Sequence, residues 1–292
     1  MTIDRIRHLL DTLRWDLELD GGPSPSAASG AFVCRVRSNG RDAVLKLTEA
    51  GRTQRLARHE LAFYRTLADV VPVDTPTMLE YADRDDLTAL LLSAHDTGPA
   101  ASDWNLPGWL ELTRQLAALH ATTLPQPPPR AASWIRDALH HPPTEAATDY
   151  WAASAAHEVS LLRGQLTALA AAFDGVPDCF IHGDCHVDNL LRNDNGIIWA
   201  DWQAYGPGNP AGELAFLWSR ADADGAQVPY SAMLREYAAT RAVSITAFSR
   251  AVLAAEIGIL LFGWPQYARY SDEATQDRLR TRLRLLTAQW LT

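Results

Sequence analysis

Lysine is almost missing from this chain. Of its 26 basic residues one is a lysine, Lys46, and the other 25 are arginines. Cysteine is scarce as well. Cys34, Cys179 and Cys185 are odd in number and form no CxxC pair, which fits free thiols in a reducing compartment better than a disulfide framework. Positive charge is not in excess: the formal net charge is -9, so no basic stripe exists to displace counterions and nucleic acid is not expected as a partner. Long apolar runs are missing too. The most apolar late stretch, 251–263, is interrupted by Glu256 and is expected to be too short to span a bilayer. Residues 1–13 alternate charge with apolar side chains and lack the apolar core of a signal peptide. These deficits predict a cytoplasmic protein with no membrane partner, and leave its oligomeric state unspecified.

What is present reads as a soluble globular protein. The 47% apolar and 21% charged fractions are ordinary, and 292 residues suffice for one large or two modest domains. Ile3, Ile6, Leu9, Leu10 and Leu13 recur at helical spacing. A run of small residues, 21–30, precedes two strand-like segments, 32–37 and 42–48, joined by Ser38-Asn39-Gly40-Arg41. Asn-Gly between apolar runs predicts a hairpin, because both residues tolerate positive φ. A helix is expected over 52–67 and strands over 77–81 and 87–92. Residues 93–99 break the pattern, which places a lobe boundary there: 1–95 and 96–292. Beyond it the expectations are a helix over 110–120, a stiff polyproline connector at 125–129 and an Ala/Leu-rich helix over 151–173. A strand at 178–181 leads to a hairpin of 190–192 and 197–200, and the remainder is helical.

The chemistry is concentrated in Ile181-His182-Gly183-Asp184-Cys185-His186-Val187-Asp188-Asn189, followed by Asp201-Trp202. An amide lies five residues after Asp184, and a second carboxylate twelve residues after that. Phosphoryl transfer from ATP needs such a set: one Asp meets the acceptor hydroxyl, while an Asn and another Asp hold Mg²⁺. Asp184 is the candidate catalytic residue. With an ordinary carboxyl pKa of ~3.9 it orients the hydroxyl and accepts its proton late, as the bond to phosphorus forms. Asn189 and Asp201 are the candidate Mg²⁺ ligands, hard oxygens suited to that ion.

Lys46 supplies the second clue. In a chain that uses Arg wherever a generic cation serves, a lone Lys marks a place that needs a compact, rotatable ammonium. It lies in a strand-like run, and Glu60 follows fourteen residues later in a helical one. A strand Lys oriented by a helix Glu is the other half of a kinase site. The run 24–30 is a candidate cover for phosphates through its backbone N–H groups and the Ser26 or Ser29 hydroxyl, although it is neither a Walker A loop nor a full GxGxxG. His182 reads as a packing residue under the loop. His186 and Asp188 either line the site or are simply solvated. Most of Trp104, Trp109, Trp134, Trp151, Trp264, Tyr267 and Tyr270 are expected in the core. Glu256, Trp264, Tyr267, Asp272 and Glu273 are candidates to face an acceptor.

With these residues in place, the chain is similar to the aminoglycoside phosphotransferase and choline kinase family. The resemblance runs from Gly21-Gly22 to the helices after Glu213 and rests on His182-Gly183-Asp184-x4-Asn189, Asp201-Trp202 and the helix ending Leu119-His120. It implies an α+β, bilobal protein-kinase-like fold: a small antiparallel β-sheet with one helix in front, and a larger, mostly helical lobe behind. It also implies that Lys46 binds the ATP α/β-phosphates, that Glu60 pairs with it, and that the Ser93 to His95 backbone bonds adenine. Relatives usually carry Asp in place of Glu213, and the longer carboxylate is expected to shift a structural salt bridge.

The expected function is transfer of phosphate from ATP, with Mg²⁺, to a hydroxyl of a small polar molecule. An aminoglycoside or similar cationic antibiotic is the leading acceptor. The alternative is a metabolic kinase for a sugar, a choline-like amine or an amino alcohol. A catalytically silent nucleotide-binding module is a rival from another class. So is a metallohydrolase built on His182-x-Asp184-x-His186-x-Asp188, which would need further ligands elsewhere.

Overall fold

The fold is seen in a computed structural model, which describes residues 2–19, 31–124, 133–267 and 271–292. Its elements divide between two compact units, Met1–Thr97 with Leu191–Ala204, and Gly98–Leu190 with Tyr205–Thr292. The runs 24–30 and 125–129, with Ser26, Ser29 and Tyr270, lie outside the described residues.

The first unit starts with α1 (Ile3–Leu13), capped by the Thr2 hydroxyl, which accepts from the Arg5 N–H. Then come β1 (Leu17–Leu19), β2 (Phe32–Ser38), β3 (Arg41–Glu49), α2 (Gln54–Thr66), β4 (Met78–Asp83) and β5 (Leu87–Ser93). The strands form one antiparallel sheet in the order β1-β2-β3-β5-β4. Asn39 and Gly40 close the β2–β3 hairpin at φ 51° and 73°, as their sequence requires. The pleat then sorts β3 by alternate residues. Ala43, Leu45 and Leu47 pack on one face in a cluster with Ile6, Leu9 and Leu10 of α1 and Leu87, Ala89 and Leu91 of β5. Lys46 and Thr48 point to the other face, the one shared with Thr88 and Leu90 and covered by α2.

The second unit contains α3 (Leu106–His120), α4 (Trp134–His140), α5 (Thr144–Trp151), α6 (Ala156–Arg163), α7 (Leu166–Asp174) and β6 (Cys179–Ile181). The chain then passes through a loop into β7 (Leu190–Asn193) and β8 (Gly196–Trp199), the hairpin that belongs mostly to the first unit. There Asp96 and Arg192 form an isolated bridge, and the Trp199 N–H donates to Asp74 O at 2.8 Å. Back in the second unit, β9 (Gly206–Gly208) pairs with β6, and α8 (Pro210–Ala223), α9 (Tyr230–Arg241) and α10 (Ile245–Gly258) follow. A π-helical turn (Ile259–Gly263), α11 (Trp264–Tyr267) and α12 (Glu273–Leu291) complete the fold.

Several expectations need correction. The single helix over 151–173 is three, α5, α6 and α7; Trp151 ends the first, and Gly164-Gln165 interrupts the remainder. Each short helix buries apolar residues of its own, Trp151 in the first, Val159 and Leu162 in the second and Leu169, Ala170 and Phe173 in the third, so the apolar pattern reads on across the breaks. The run 251–263 is part of a longer helical run, Ile245–Tyr267, which at 23 residues is long and apolar enough to cross a bilayer by length and composition. Of its most apolar window, 72% is buried within the protein, as in a core helix. Glu256 faces no acceptor: it is 1% exposed and binds Arg282 through both oxygens, at 2.6 and 2.9 Å.

Candidate active site

In the first unit three expected residues meet. The Lys46 ammonium donates to Glu60 Oε1 at 2.6 Å and to Asp201 Oδ1 at 2.8 Å. Strand β3 delivers Lys46, the middle of α2 delivers Glu60, and the turn after β8 delivers Asp201. The side chain of Glu60 is 2% exposed, that of Lys46 13% and that of Asp201 28%, so the pair is shielded and the third member reaches solvent. Burial pulls the Lys46 pKa down, but the charges of Glu60 and Asp201 and their hydrogen bonds outweigh it and hold the ammonium above its ordinary value. Burial pushes Glu60 up, and Lys46 pulls it back.

The turn carrying Asp201 is fastened to α2. Phe63 stacks on Trp202 with ring centroids 3.9 Å apart and planes 7° apart. Gln203 Nε2 donates to Asp201 Oδ1 at 2.6 Å, while Gln203 O lies 3.1 Å from His59 Nδ1. Asp201 itself sits at φ 65°, a left-handed conformation uncommon for residues other than glycine and visited by aspartate more often than by most. A cavity of about 10 Å³ behind Lys46 is bounded by Glu60, Thr48, Thr88, Leu90 and Gln203, room for one water.

Ser93 and His95 lie at the end of β5 in the same unit. The Ser93 hydroxyl accepts from the Thr77 N–H at 2.9 Å and lies 2.9 Å from His95 Nε2, while the His95 carbonyl accepts from Arg35 Nη2 at 2.7 Å. Their side chains are engaged with the protein, and so is part of the backbone: the Ser93 N–H donates to Thr77 O at 2.8 Å and the Ala94 N–H to Asp42 O at 3.4 Å.

In the second unit, the loop after β6 carries Asp184 and Asn189. Asn189 Nδ2 donates to Asp184 O at 2.9 Å and to Asp184 Oδ2 at 3.2 Å. His182 is fully buried, and its Nδ1 accepts from the Asp184 N–H at 3.3 Å, the supporting role its position suggested. His186 settles against carboxylates: its Nδ1 is 3.4 Å from Asp188 Oδ2 and its Nε2 3.8 Å from Asp184 Oδ2. Arg220 of α8 holds Asp188 at 3.3 Å.

Glu213, which motif reasoning set aside as structural, lies under this loop. Its Oε1 accepts from the Gly183 N–H at 2.5 Å, and its Oε2 from the His182 N–H at 3.2 Å and from His120 Nε2 at 2.8 Å. His120 Nδ1 is 2.8 Å from the Tyr237 hydroxyl. The motif Leu119-His120 pointed to the imidazole; Tyr237, on α9, carried no signal in the sequence.

Oxygen ligands fit a hard divalent cation, and the Asn189 carbonyl and the Asp201 carboxylate are such groups. Among the described residues no three His, Cys, Asp or Glu side chains gather to form a metal site by themselves. A metallohydrolase centre on the His182-x-Asp184-x-His186-x-Asp188 pattern therefore has no geometric support there.

Comparison with known proteins agrees with these motifs. Residues 25–246 match the model of a phosphotransferase enzyme family, APH. No curated protein matches the sequence. Among solved structures, a microcompartment-associated aminopropanol kinase superposes with a TM-score of 0.68 at 15% identity, over 98% of this chain and 95% of that one. The macrolide 2'-phosphotransferase MphH from Brachybacterium faecium superposes with a TM-score of 0.61 at 20% identity, over 96% and 98%. A thermostable mutant of the aminoglycoside phosphotransferase APH(4)-Ia gives 0.62 at 16%, over 97% and 98%. At these identities the likeness concerns the fold, a β-sheet unit and a largely helical one.

Proposed function

The chain belongs to the APH phosphotransferase enzyme family, and on that premise we propose that it transfers the terminal phosphoryl group of ATP to a hydroxyl of a small polar molecule. The observation that carries this reading is the Lys46–Glu60–Asp201 set, a buried ammonium held by one carboxylate and shared with a second that reaches solvent. A surface pair would contribute little to stability, and a buried one rarely more than an apolar substitute, so such a set is best explained by work on a ligand.

In this reading Lys46 holds the α/β-phosphates and Glu60 fixes its direction. The backbone at Ser93 to His95 receives adenine. Asp184 orients the acceptor hydroxyl and takes its proton as the O–P bond forms and the bond to the leaving ADP oxygen breaks. Asn189 and Asp201 are the residues that would hold Mg²⁺, which when bound neutralises phosphate charge. The phosphate-covering role of Ser26 and Ser29 remains part of the proposal.

A cationic antibiotic such as an aminoglycoside is the favoured acceptor, supported by the net charge of -9, which favours cationic ligands. The second reading, a kinase for an amino alcohol or sugar, is supported by the likeness to an aminopropanol kinase. ATP consumption measured over a panel of aminoglycosides, macrolides, amino alcohols and sugars separates them. Turnover with a cationic antibiotic is expected; turnover confined to sugars or amino alcohols removes the antibiotic reading. ATP-dependent thermal stabilisation without phosphate transfer to any acceptor would favour a silent nucleotide-binding module.

A further inference from the structure

Two of the aromatic residues expected to face an acceptor have a definite place in the second unit. Helix α8 carries Phe216, Ser219 and Arg220 within an arc of about 100°, at 3.6 residues per turn. Each of the three is tied to a neighbour. The Phe216 ring meets His186 edge-on with centroids 6.3 Å apart, and His186 Nε2 lies 3.8 Å from Asp184 Oδ2. Arg220 holds Asp188 at 3.3 Å. The buried Ser219 hydroxyl accepts from the Trp264 indole N–H at 2.7 Å. One side of α8 therefore joins the loop that carries Asp184 to the start of α11.

The chain before Trp264 sets its direction. The π-helical turn Ile259–Gly263 is buried throughout and fits an extra residue into the helix, which re-aims the side chains that follow. At Gly263 a Cβ would fall 2.6 Å from Trp134 Cη2, so a bare backbone lets that ring close on the helix. Trp109, Trp151, Trp218 and Trp290 are buried with no hydrogen bond to their indole N–H. Trp264 is only half-buried, yet its N–H is pinned. The pinned ring stands edge-on to Tyr267, 6.3 Å away, and Tyr267 is 58% exposed. Core packing accounts for neither a fixed indole at the surface nor the tyrosine left in solvent beside it.

We propose that Trp264 and Tyr267 form the far wall of the acceptor site, and that the acceptor is an amine-bearing molecule of two or more linked rings. The inference rests on the phosphotransferase reading above, with Asp184 at the acceptor hydroxyl.

Size follows from spacing. From Asp184 to the Trp264 ring the path crosses His186, the 6.3 Å to Phe216 and nearly one turn of α8, so the wall stands on the order of 10–15 Å from the transferred group. A three-carbon amino alcohol, at about 1.5 Å per bond, spans roughly 5 Å and leaves the wall untouched. Linked rings bridge the gap and lay a face on the aromatics. Charge follows from the groups between. Asp184, Asp188 and Asp224 stand against the guanidinium of Arg220 and the imidazole of His186, and Asp224 feels Asp188, His186 and Arg220 together. An acidic excess favours protonated amines, which aromatic faces also attract.

Tyr267→Ala and Tyr267→Phe are compared with wild type on the same panel of acceptors, by KM and by calorimetric binding in the presence of ADP and Mg²⁺. Tyr267 lies at the surface, so both variants should melt with wild type. Tyr267→Ala should raise KM and Kd for a multi-ring amine about 3–30-fold, the scale of one lost cation–π contact, and Tyr267→Phe should restore most of it. Trp264→Leu should act in the same direction as Tyr267→Ala; if it does not fold, the Tyr267 pair decides alone. Turnover confined to amino alcohols or single sugars overturns the proposal. So does a multi-ring amine that wild type and Tyr267→Ala bind equally well, or a wild type that binds no multi-ring amine. A wild type that binds such amines but transfers no phosphate to them removes the kinase reading instead, and the ratio of the two Kd values still decides whether the wall exists.

Discussion

Removing the Lys46 ammonium is the sharpest perturbation available. In Lys46→Met the Glu60 carboxylate, 2% exposed, loses a partner at 2.6 Å, whereas Asp201, 28% exposed, can turn to water. Breaking one side of a buried pair typically costs about 3–5 kcal/mol. An escape limits the loss, because Glu60 can take up a proton. From an ordinary value of 4.5, neutralising it at pH 7 costs roughly 3 kcal/mol, and at pH 5 under ~1 kcal/mol. The sign follows: a carboxyl raised above its unfolded value favours the fold at low pH, and that contribution is lost as pH rises. Lys46→Met should therefore melt roughly 6–12 °C below wild type at pH 7, taking about 2–4 °C per kcal/mol, and only a few degrees below it at pH 5. Adding Glu60→Gln should restore most of the stability at pH 7 while leaving phosphoryl transfer lost. Thermal melts of wild type, Lys46→Met, Glu60→Gln and the double variant at both pH values check this. Equal destabilisation at pH 5 and 7, or a second substitution that adds to the first, would refute the account of a buried, charge-compensated pair.

Three further outcomes follow from the same geometry. Asp184→Ala should cut kcat by about 10²–10⁴-fold, the usual contribution of general acid–base catalysis, with ATP affinity by calorimetry nearly unchanged; near-normal turnover would remove Asp184 from the chemistry. Lys46→Arg keeps the charge but puts a planar fork where a compact ammonium bridges two carboxylates, so it should melt closer to wild type than Lys46→Met and still lose phosphate positioning, read as a fall in kcat/KM. Burial lifts Glu256 to about 7 despite its Arg282 partner, so its contribution to stability is full below about 4.5 and fades as pH rises through 7, on the order of 3 kcal/mol in all. Glu256→Gln should flatten that part of the profile of melting temperature against pH between 5 and 8; an unchanged profile would show that Glu256 is not the titrating group.

The parts of this molecule that were readable in the sequence are those set by local rules. Asn39-Gly40 fixed the hairpin, and the pleat put Lys46 opposite Leu45 and Leu47. The spacing of Lys46 and Glu60 anticipated a contact the fold makes at 2.6 Å. What was missed depends on partners distant in sequence. Short β1 and β9 have too few residues for a period to register and exist because β2 and β6 offer open edges. The hidden breaks in 151–173 separate short helices that each bury apolar residues of their own. Glu256 read as a candidate to face an acceptor because nothing in its neighbourhood announces Arg282, twenty-six residues on. Tyr237 was silent for the same reason, 117 residues from His120.

Asp201 shows how the legible and illegible parts combine. Its neighbours Ile197, Ile198 and Trp199 are a buried apolar strand that any pattern reading finds, yet its own φ of 65° costs on the order of 1–3 kcal/mol for a residue other than glycine. Such a conformation persists only where the surroundings over-determine it. Here Lys46 and Gln203 both donate to Asp201 Oδ1, and the Phe63–Trp202 stack clamps the next residue to α2. A glycine would sit there without strain but would bring no oxygen, and an aspartate in relaxed backbone would aim its oxygens elsewhere. Strain retained at a carboxylate that still reaches solvent suits a group preset for a ligand, which supports the metal-holding role proposed for Asp201.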